Sequence, residues 1–244
     1  MEVIVDIHTH ILPGIDDGAE NFDEAVEMLQ IAQENGTTDI VLTPHFLTRD
    51  LRGLKITKDD ILSRFEEFKQ SVSGMFPGLN LYVGAETYAG SDLYEAIDND
   101  LILPINNTKY VLIEFGFNDH VRRAYNAMMS LIDKGYTPII AHPERYAFVK
   151  DDPMSIVGFV DAGALLQVNI GSLAGENGGA SQEIAMMYLD EELASIVASD
   201  AHSVFQRTPD MSEAHAFVSS VFSSAYADDL FYHNPMSVIK GKRI

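Results

Sequence analysis

The sequence predicts an α/β fold whose parallel sheet closes into an irregular seven-stranded (β/α)7 barrel, similar in plan to a TIM barrel. Two observations predict it. Short apolar, β-branched runs alternate with segments of helical periodicity, and polar side chains that could bind metal follow nearly every run. With 244 residues and 46% hydrophobic content, the chain can bury a large core, so we expect residues 1–244 to form a single domain.

Seven apolar runs are predicted as strands. They are Val3–Ile7, Asp39–Thr43, Leu81–Ala85, Tyr110–Glu114, Pro138–Ala141, Leu165–Asn169 and Ala194–Ala198. Strands that alternate with helices form right-handed βαβ units and therefore a parallel sheet. An open sheet would spread the residues that follow its strands along a line, whereas a barrel gathers them around one mouth. A barrel is favoured for that reason, and a count of seven instead of eight indicates an irregular one.

Three helices show recognisable ends. Asn21 and Glu24 are spaced as a capping box, and Gly36 fits the position after the C-cap. The apolar stripe predicted for this first helix is Phe22, Val26, Leu29 and Ala32. Thr57 and Asp60 begin a second helix, which Gly74 and Pro77 close. Its stripe is Ile61, Leu62, Phe65, Phe68 and Val72. Asp152-Pro153 begins a third, which ends at Gly163.

Composition excludes several classes of protein. A formal net charge of -21 opposes non-specific binding to nucleic acid or to an anionic membrane. The absence of cysteine excludes disulfides, thiolate metal sites and a cysteine nucleophile. The N-terminal residues lack a signal-peptide pattern, and no apolar run approaches the roughly 18 residues needed to span a bilayer. We therefore expect a cytoplasmic protein without membrane insertion.

Histidines and acids stand at the ends of the predicted strands. The first run ends in a His-x-His pattern, which places two imidazoles on the same side of an extended chain. The candidate metal ligands are His8, His10, Asp17, His45, Glu86, Glu114, His142, Asp200 and His202. The other three histidines, His120, His215 and His233, are assigned to loops or helix surfaces. Any one of these candidates alone would be read as a structural histidine or a solvated acid.

The nine candidates taken together favour a metal site over these structural alternatives. Glu114 and Asp200 end such apolar runs that their carboxylates should be partly buried, and buried charges need partners or metals. Five imidazoles and four carboxylates form a nitrogen and oxygen donor set suited to Mn²⁺, Fe²⁺ or Zn²⁺. Nine ligands are more than one ion can use, so we expect two or three ions. Three divalent ions against four carboxylates leave a formal charge of +2, which matches a phosphate dianion.

These segments resemble the CpsB/CapC-type bacterial tyrosine phosphatases, metal-dependent members of the polymerase and histidinol phosphatase (PHP) superfamily. The matching segments are DIHTHILPG (6–14), DDGA (16–19), TPH (43–45), KYVLIEF (109–115), AHPER (141–145), GSLAG (171–175) and ASDAH (198–202). The resemblance implies a PHP barrel and a trinuclear site that typically holds manganese, with iron, zinc or cobalt as alternatives. It also implies a phosphotyrosine substrate on the tyrosine kinase that controls capsule and exopolysaccharide synthesis.

Two positions depart from the family pattern. Phe46 stands where a second histidine often follows His45, so any role of that histidine is absent. Thr9 replaces the cysteine common between the first two histidines, and we expect it to face away from the ions. Neither departure touches the nine candidate ligands.

Arginines supply the candidate contacts to substrate. Arg145 and Arg207 follow ligand positions closely enough to hold phosphate oxygens through forked hydrogen bonds, with an ion pair to a neighbouring acid as the alternative. Six of the eight arginines lie just after strand ends, which predicts a basic mouth on an acidic body. Of these, Arg49, Arg52, Arg122 and Arg123 are candidates for contacts beside a phosphotyrosine; Arg64 and Arg243 lie elsewhere.

The leading hypothesis is therefore a metal-dependent phosphotyrosine-protein phosphatase. A small-molecule phosphatase of the histidinol-phosphate type and a non-catalytic metal-binding module are the alternatives. A PHP nuclease is disfavoured because a duplex-binding surface should be broadly basic, and this chain is acidic.

Overall fold

Parallel strands and surrounding helices make up the computed structural model, which describes residues 3–48 and 55–244. Within these ranges the strands are β1 (Ile4–Thr9), β2 (Thr37–Leu42), β3 (His45–Phe46), β4 (Asn80–Val83), β5 (Glu86–Tyr88), β6 (Tyr110–Glu114), β7 (Thr137–Ala141), β8 (Leu165–Asn169) and β9 (Ile196–Ala198). They form two sheets, ordered β1-β2-β4 and β3-β5-β6-β7-β8-β9, and neighbouring strands within each sheet are parallel. The predicted α/β class is confirmed.

All seven predicted runs contain strand, and the structure adds a short strand after two of them. β3 follows the second run, beyond Thr43-Pro44, and β5 follows the third run, beyond Gly84-Ala85. Proline lacks the amide hydrogen that a sheet ladder needs. Gly84 lies where a side chain would crowd the backbone, since a Cβ there would be 3.2 Å from Cα of Ile105. The described count is therefore nine strands in two sheets instead of seven in one.

Backbone contacts join the two sheets at the ends of their strands. Thr9, at the end of β1, forms a parallel bridge with Ala201, just beyond β9. The N–H of His10 donates to the carbonyl of Ala201 (2.8 Å), and that of Asp200 donates to the carbonyl of His8 (2.9 Å). The residues that follow β1 and β9 are thereby held side by side.

The α-helices lie between these strands and after the last of them. They are α1 (Phe22–Glu34), α2 (Lys58–Ser71), α3 (Leu93–Asp98), α4 (Val121–Asp133), α5 (Ala147–Asp151), α6 (Val157–Asp161), α7 (Ile170–Leu173), α8 (Gly179–Asp190), α9 (Ser212–Val221), α10 (Ser224–Asp228) and α11 (Asn234–Ile239). Short 3-10 turns cover Ile105–Asn107, Pro143–Arg145 and Pro153–Ile156, and a π-helical turn covers Asp229–His233. No helix in the described ranges is both long and apolar enough to span a membrane.

The predicted helix ends agree with the structure, and of the two predicted stripes that of α2 agrees better than that of α1. Thr57 and Asp60 form the capping box of α2, and Gly36 follows the C-cap of α1 with a φ of 93°. The Asn21 side chain accepts from the N–H of Glu24, but the Glu24 carboxylate accepts from Glu20 instead of returning to Asn21. In α1 the buried residues are Ala25, Met28, Leu29 and Ala32. Phe22, predicted on the stripe, is 40% exposed, because the buried face is rotated away from it.

The third predicted helix is broken. Asp152 accepts from the N–H of Met154, as expected of an N-cap, but it opens the 3-10 turn Pro153–Ile156 before α6 begins. Gly163 then follows α6 with a φ of 104°, in the left-handed region that glycine adopts readily. The stop and start signals are thus correct, and the segment between them is less regular than predicted.

Three clusters of buried side chains form the core. One draws on both sheets and contains Val5, Val41, Leu112, Ile139 and Ile196 from five different strands. Val238 and Ile239 of α11 pack into the same cluster. The other two clusters lie between strands and helices: one around α1 and α2, the other around α4, α8 and α9. The inner cluster therefore gives strands of the two sheets a shared interior.

Candidate metal centre

All nine predicted ligand side chains meet at the carboxyl ends of the strands. Three groups have donor atoms within 4.8 Å of one another: His10, Asp17, His45 and His202; His8, His10 and Asp200; and His45, Glu86 and Glu114. The ninth, His142, places Nε2 3.0 Å from Oε1 of Glu86 and 3.8 Å from Oε1 of Glu114. His10 and His45 belong to two groups each, so the groups are parts of one continuous cluster.

Glu86 lies at the centre of this cluster. Its buried carboxylate faces four imidazoles, with the nearest ring nitrogens of His8, His10, His45 and His142 at 3.3, 3.4, 2.9 and 3.0 Å. Oε2 of Glu86 and Nδ1 of His45 are both buried and make no hydrogen bond within the described part of the chain, although they are 2.9 Å apart. Buried polar atoms without hydrogen bonds are costly in a protein interior, and a shared cation would satisfy both.

Nε2 of His8 and Nε2 of His10 are only 3.3 Å apart, and both rings are fully buried. Oδ1 of Asp200 lies 3.4 Å from the first nitrogen and 3.5 Å from the second. Two neutral imidazoles that point their lone pairs at one place repel each other unless a positive charge lies between them. The donor set of nitrogen and oxygen atoms fits divalent manganese, iron or zinc.

The electrostatics of the cluster also favour bound cations. Burial alone would lower the pKa of His10, but the carboxylates of Asp16 and Glu86 together outweigh burial and raise it to about 9. Burial likewise opposes the charge on His45, yet Glu86 and Asp17 hold its pKa well above the ordinary value. Burial and the neighbouring charge of Glu86 raise the pKa of Glu114 to about 8. The acids therefore need positive charge close by, and divalent cations would take over that role from bound protons.

Asp16, which is not among the predicted ligands, orients the cluster from behind. Its Oδ2 lies 2.7 Å from Nδ1 of His10 and accepts from the backbone N–H of His45 at 2.9 Å. A carboxylate on Nδ1 leaves Nε2 of the same ring facing the cluster. Asp17 itself is more exposed, and its Oδ1 lies 3.3 Å from Nε2 of His45 and 3.5 Å from Nε2 of His202.

A tight turn brings Asp16 and Asp17 to the histidines. The N–H of Gly18 donates to Oδ1 of Asp16 at 3.0 Å. A Cβ at position 18 would lie 2.0 Å from the carbonyl oxygen of His10, a distance that no side chain can adopt. Only glycine lets this turn close against the strand end. Arg64, predicted away from the mouth, also holds the turn, since its Nη1 donates to the carbonyl of Gly14 at 3.0 Å.

Sharp backbone turns aim two of the candidate ligands. His142 has a φ of 35° and Asp200 a φ of 54°, in the left-handed region that costs most side chains free energy. Such conformations typically cost about 1–3 kcal/mol and persist where the surrounding structure enforces them. His142 follows β7 directly and Asp200 follows β9 after Ser199, so each turn directs its side chain into the cluster.

Both candidate phosphate-binding arginines contact Asp200. Nη1 of Arg145 lies 3.2 Å and Nη2 of Arg207 2.5 Å from the same oxygen, Oδ2. The guanidinium of Arg145 also lies over the ring of Phe117, 4.7 Å from its centre. The ion-pair alternative thus describes the contacts of both arginines, and their role toward phosphate stays a prediction. The side chains remain partly exposed, at 22% for Arg145 and 36% for Arg207.

Four candidate substrate-contact arginines and the histidines outside the cluster remain. Arg122 and Arg123 lie in the first turn of α4, where Arg123 pairs with Asp119. Arg49 and Arg52 lie outside the described residues. Of the unassigned histidines, His120 caps α4 and His233 is exposed, as predicted.

His215 is a correction. It is 1% exposed, with Nε2 3.3 Å from Oδ1 of Asp228 and its ring 5.2 Å from that of Phe231. The sequence placed it on a surface, but α10 and the π-helical turn fold back over α9 and cover it.

A buried acid also lies beneath the cluster. Oε1 of Glu144 accepts from the hydroxyl of Ser172 at 2.6 Å and from the N–H of Asn169 at 3.2 Å. Oε2 is buried without a hydrogen bond in the described part of the chain. Burial raises the pKa of Glu144 to about 7, although its hydrogen bonds act in the opposite direction.

Known proteins are similar to this chain in fold and in sequence. A chain from the crystal structures of YwqE of Bacillus subtilis and CpsB of Streptococcus pneumoniae, described as metal-dependent tyrosine phosphatases, superimposes with a TM-score of 0.90. It is 30% identical, over 99% of this chain and 96% of that one. CapC of Staphylococcus aureus is 38% identical over 208 residues, 84% of this chain and 79% of the relative. The tyrosine-protein phosphatase CpsB of Streptococcus agalactiae is 29% identical over 247 residues, 99% of this chain and 100% of the relative.

These relatives define a class of parallel α/β enzymes that act as tyrosine phosphatases. The family model for capsular polysaccharide synthesis, CpsB/CapC, matches residues 4–240, and the chain belongs to that family. The resemblance predicted from the sequence motifs is confirmed.

Removing the ionisable group of Glu144 should change how stability depends on pH. The raised pKa means that the folded protein keeps a proton which the unfolded chain releases near pH 4.5, so wild-type stability falls as pH rises from 4.5 to about 7. Glu144→Gln keeps the accepting oxygen and cannot ionise. We expect the variant to match wild type at pH 4.5 and to exceed it at pH 8 by roughly 2–3 kcal/mol.

Urea unfolding at the two pH values measures this difference. Glu183→Gln, an exposed change on α8, is the matched control and should show no such pH-dependent gain. Equal unfolding free energies for Glu144→Gln and wild type at pH 8 would contradict the prediction.

Proposed function

We propose that this protein is a metal-dependent tyrosine-protein phosphatase that hydrolyses phosphotyrosine on a protein partner. The observation that carries the proposal is the convergence of five imidazoles and four carboxylates in a chain of the CpsB/CapC family. Relatives named as tyrosine-protein phosphatases favour this function over a small-molecule phosphatase and over a non-catalytic metal-binding module. The protein partner we propose is a bacterial tyrosine kinase of capsule or exopolysaccharide synthesis.

The proposed cofactors are two or three divalent ions, with manganese first and iron, zinc or cobalt as alternatives. The ligands would be His8, His10, Asp17, His45, Glu86, Glu114, His142, Asp200 and His202. Ions bound there would supply Lewis acidity, lowering the pKa of a water nucleophile and neutralising phosphoryl charge. Glu86 and Asp200 would each hold cations together with several imidazoles, because Glu86 faces His8, His10 and His45 and Asp200 faces His8 and His10.

We further infer that the two sheets belong to one irregular barrel. The bridge from Thr9 to Ala201 supports closure between the first and last strands. The inner cluster, which combines side chains of both sheets, supports an enclosed interior. A barrel would explain why ligands from six strand ends reach one place.

Substrate contacts come from residues around the cluster. Arg145 and Arg207 would turn part of their hydrogen bonding from Oδ2 of Asp200 to phosphate oxygens, for which a guanidinium fork is well matched. Phe117 is 42% exposed, and its ring centre is 5.9 Å from that of His142, so it offers an apolar surface for a tyrosyl ring. Arg49, Arg52, Arg122 and Arg123 are proposed to meet residues beside the phosphotyrosine.

Hydrolysis by this protein should depend on added metal and on an aryl phosphate in a peptide. Protein treated with a chelator should lose activity on a phosphotyrosyl peptide and regain it with Mn²⁺, since the cluster lacks any nucleophilic cysteine. Phosphate release with each metal, on the phosphotyrosyl peptide, a phosphoseryl peptide and histidinol phosphate, is the measurement. Higher kcat/KM on histidinol phosphate, or no turnover with any metal, would overturn the proposal.

Removing the charge of Glu86 should release metal. Glu86→Gln keeps the size of the side chain but takes one negative charge away from four imidazoles. We expect a loss of at least one bound ion per chain and a fall of kcat of at least a hundred-fold, because both the ions and their geometry depend on this carboxylate. Metal analysis after purification without chelator measures the first effect. Glu66→Gln, exposed on α2, is the control; unchanged metal content in Glu86→Gln would exclude the ligand role.

Arg145→Ala should separate phosphate binding from metal binding. The guanidinium of Arg145 is positively charged and offers no acceptor lone pair to a cation, so the variant should keep its full metal content. Loss of a forked contact to phosphate should lower kcat/KM by about ten- to hundred-fold. Steady-state kinetics with p-nitrophenyl phosphate, together with metal analysis, tests both statements. Wild-type kinetics would show that Arg145 serves only the ion pair with Asp200.

A further inference from the structure

Two amide side chains lie beneath the cluster, in a strand that is otherwise apolar. Gln167 and Asn169 belong to β8, and both are almost completely buried, at 0% and 2% exposure. Burying two primary amides costs free energy unless each of their polar groups finds a partner. They connect two of the proposed ligands: Oε1 of Gln167 lies 2.7 Å from Nδ1 of His8, and Nδ2 of Asn169 lies 2.7 Å from Oδ2 of Asp200.

A third hydrogen bond joins the two amides. Nε2 of Gln167 donates to Oδ1 of Asn169 at 2.8 Å. His8, Gln167, Asn169 and Asp200 therefore form an unbroken row of side-chain hydrogen bonds, which we call the polar relay. It leads from one proposed ligand to another without passing through the cluster itself.

The direction of the polar relay follows from the chemistry of its last member. An ionised carboxylate only accepts hydrogen bonds, so Asn169 must present its NH₂ group to Asp200. Its carbonyl then faces Gln167, which must donate in turn. The carbonyl of Gln167 consequently faces His8, and only the Nδ1–H form of that imidazole can donate to it.

We propose that Gln167 and Asn169 are positioning residues that fix His8 and Asp200 as a matched pair of metal ligands. The polar relay holds His8 in its Nδ1–H form, which leaves the lone pair of Nε2 for a cation. It also holds Oδ2 of Asp200, so that Oδ1 faces Nε2 of His8 at 3.4 Å. The inference rests on the metal site of the proposed function and adds two residues that touch neither metal nor substrate.

The polar relay predicts coupled losses of metal affinity. Gln167→Met keeps the length of the side chain and Asn169→Leu its approximate volume, and each breaks the row. Groups that orient metal ligands typically contribute ten- to hundred-fold in metal affinity, so we expect a fall of that size in the affinity for Mn²⁺ in each variant. Because either change interrupts the same row, the double variant should lose no more than the weaker-binding single variant.

Competition between the protein and a fluorescent chelator for Mn²⁺ measures affinity without any turnover. The visible absorption of the Co²⁺-loaded protein reports ligand geometry and should change in both single variants. Thermal melting without added metal checks folding, and Asn169→Ala replaces Gln167→Met if that variant does not fold. Asn234→Leu is the matched control: Nδ2 of Asn234 donates to the carbonyl of Ser195 at 2.8 Å, at the opposite end of β9.

The outcomes separate the polar relay from the proposed function. Unchanged Mn²⁺ affinity in folded Gln167→Met or Asn169→Ala, fully additive losses in the double variant, or an equal loss in Asn234→Leu would each overturn the polar relay. Wild-type protein that binds Mn²⁺ but does not hydrolyse phosphotyrosine would instead contradict the proposed function and leave the relay open to the same affinity measurements. A wild-type protein that binds neither Mn²⁺ nor Co²⁺ would overturn both.

Discussion

The arrangement of the whole cluster depends on one buried carboxylate among imidazoles. Glu86 is 1% exposed and lies within 3.4 Å of four histidine rings. An isolated charge at such depth would be expelled or neutralised, and its presence therefore requires positive charge on several sides. The strand ends that supply those rings are spread along the sequence from residue 8 to residue 142. The strand ends bring the four rings to the Glu86 carboxylate, and that carboxylate in turn stabilises positive charge on the rings.

Three chemically different groups perform the same task behind the histidines. A carboxylate (Asp16), an amide (Gln167) and a backbone carbonyl (Asp200) each face an Nδ1 atom, on His10, His8 and His202 respectively. In each case the free Nε2 is directed into the cluster. The orientation of the rings is therefore built into the loop after β1, into β8 and into the turn after β9. The support behind His10 lies outside the polar relay, whereas the supports behind His8 and His202 are residues of that relay.

The sequence was most informative where a local pattern decides the outcome. Strands, caps and the nine clustered side chains follow from periodicity and from polar residues at the ends of apolar runs, as at Glu114 and His142. Long-range contacts decided the rest. Asp16 and Asp17 are equivalent in sequence, and only the closure of the turn at Gly18 shows which one lies behind His10. The burial of His215 depends on elements that follow it, and the break at Gly84 depends on its close approach to Ile105.

The left-handed backbone at His142 and Asp200 limits how this centre can be engineered. Asparagine, aspartate and histidine tolerate a positive φ better than other side chains do, and β-branched residues tolerate it least. Exchanges among the first three would change donor type while keeping the direction of the side chain. Threonine, a natural choice for a hard oxygen donor, would strain the turn at either position. A programme to retune metal preference therefore has its widest choice at Asp17 and His45, whose backbone is not in that region.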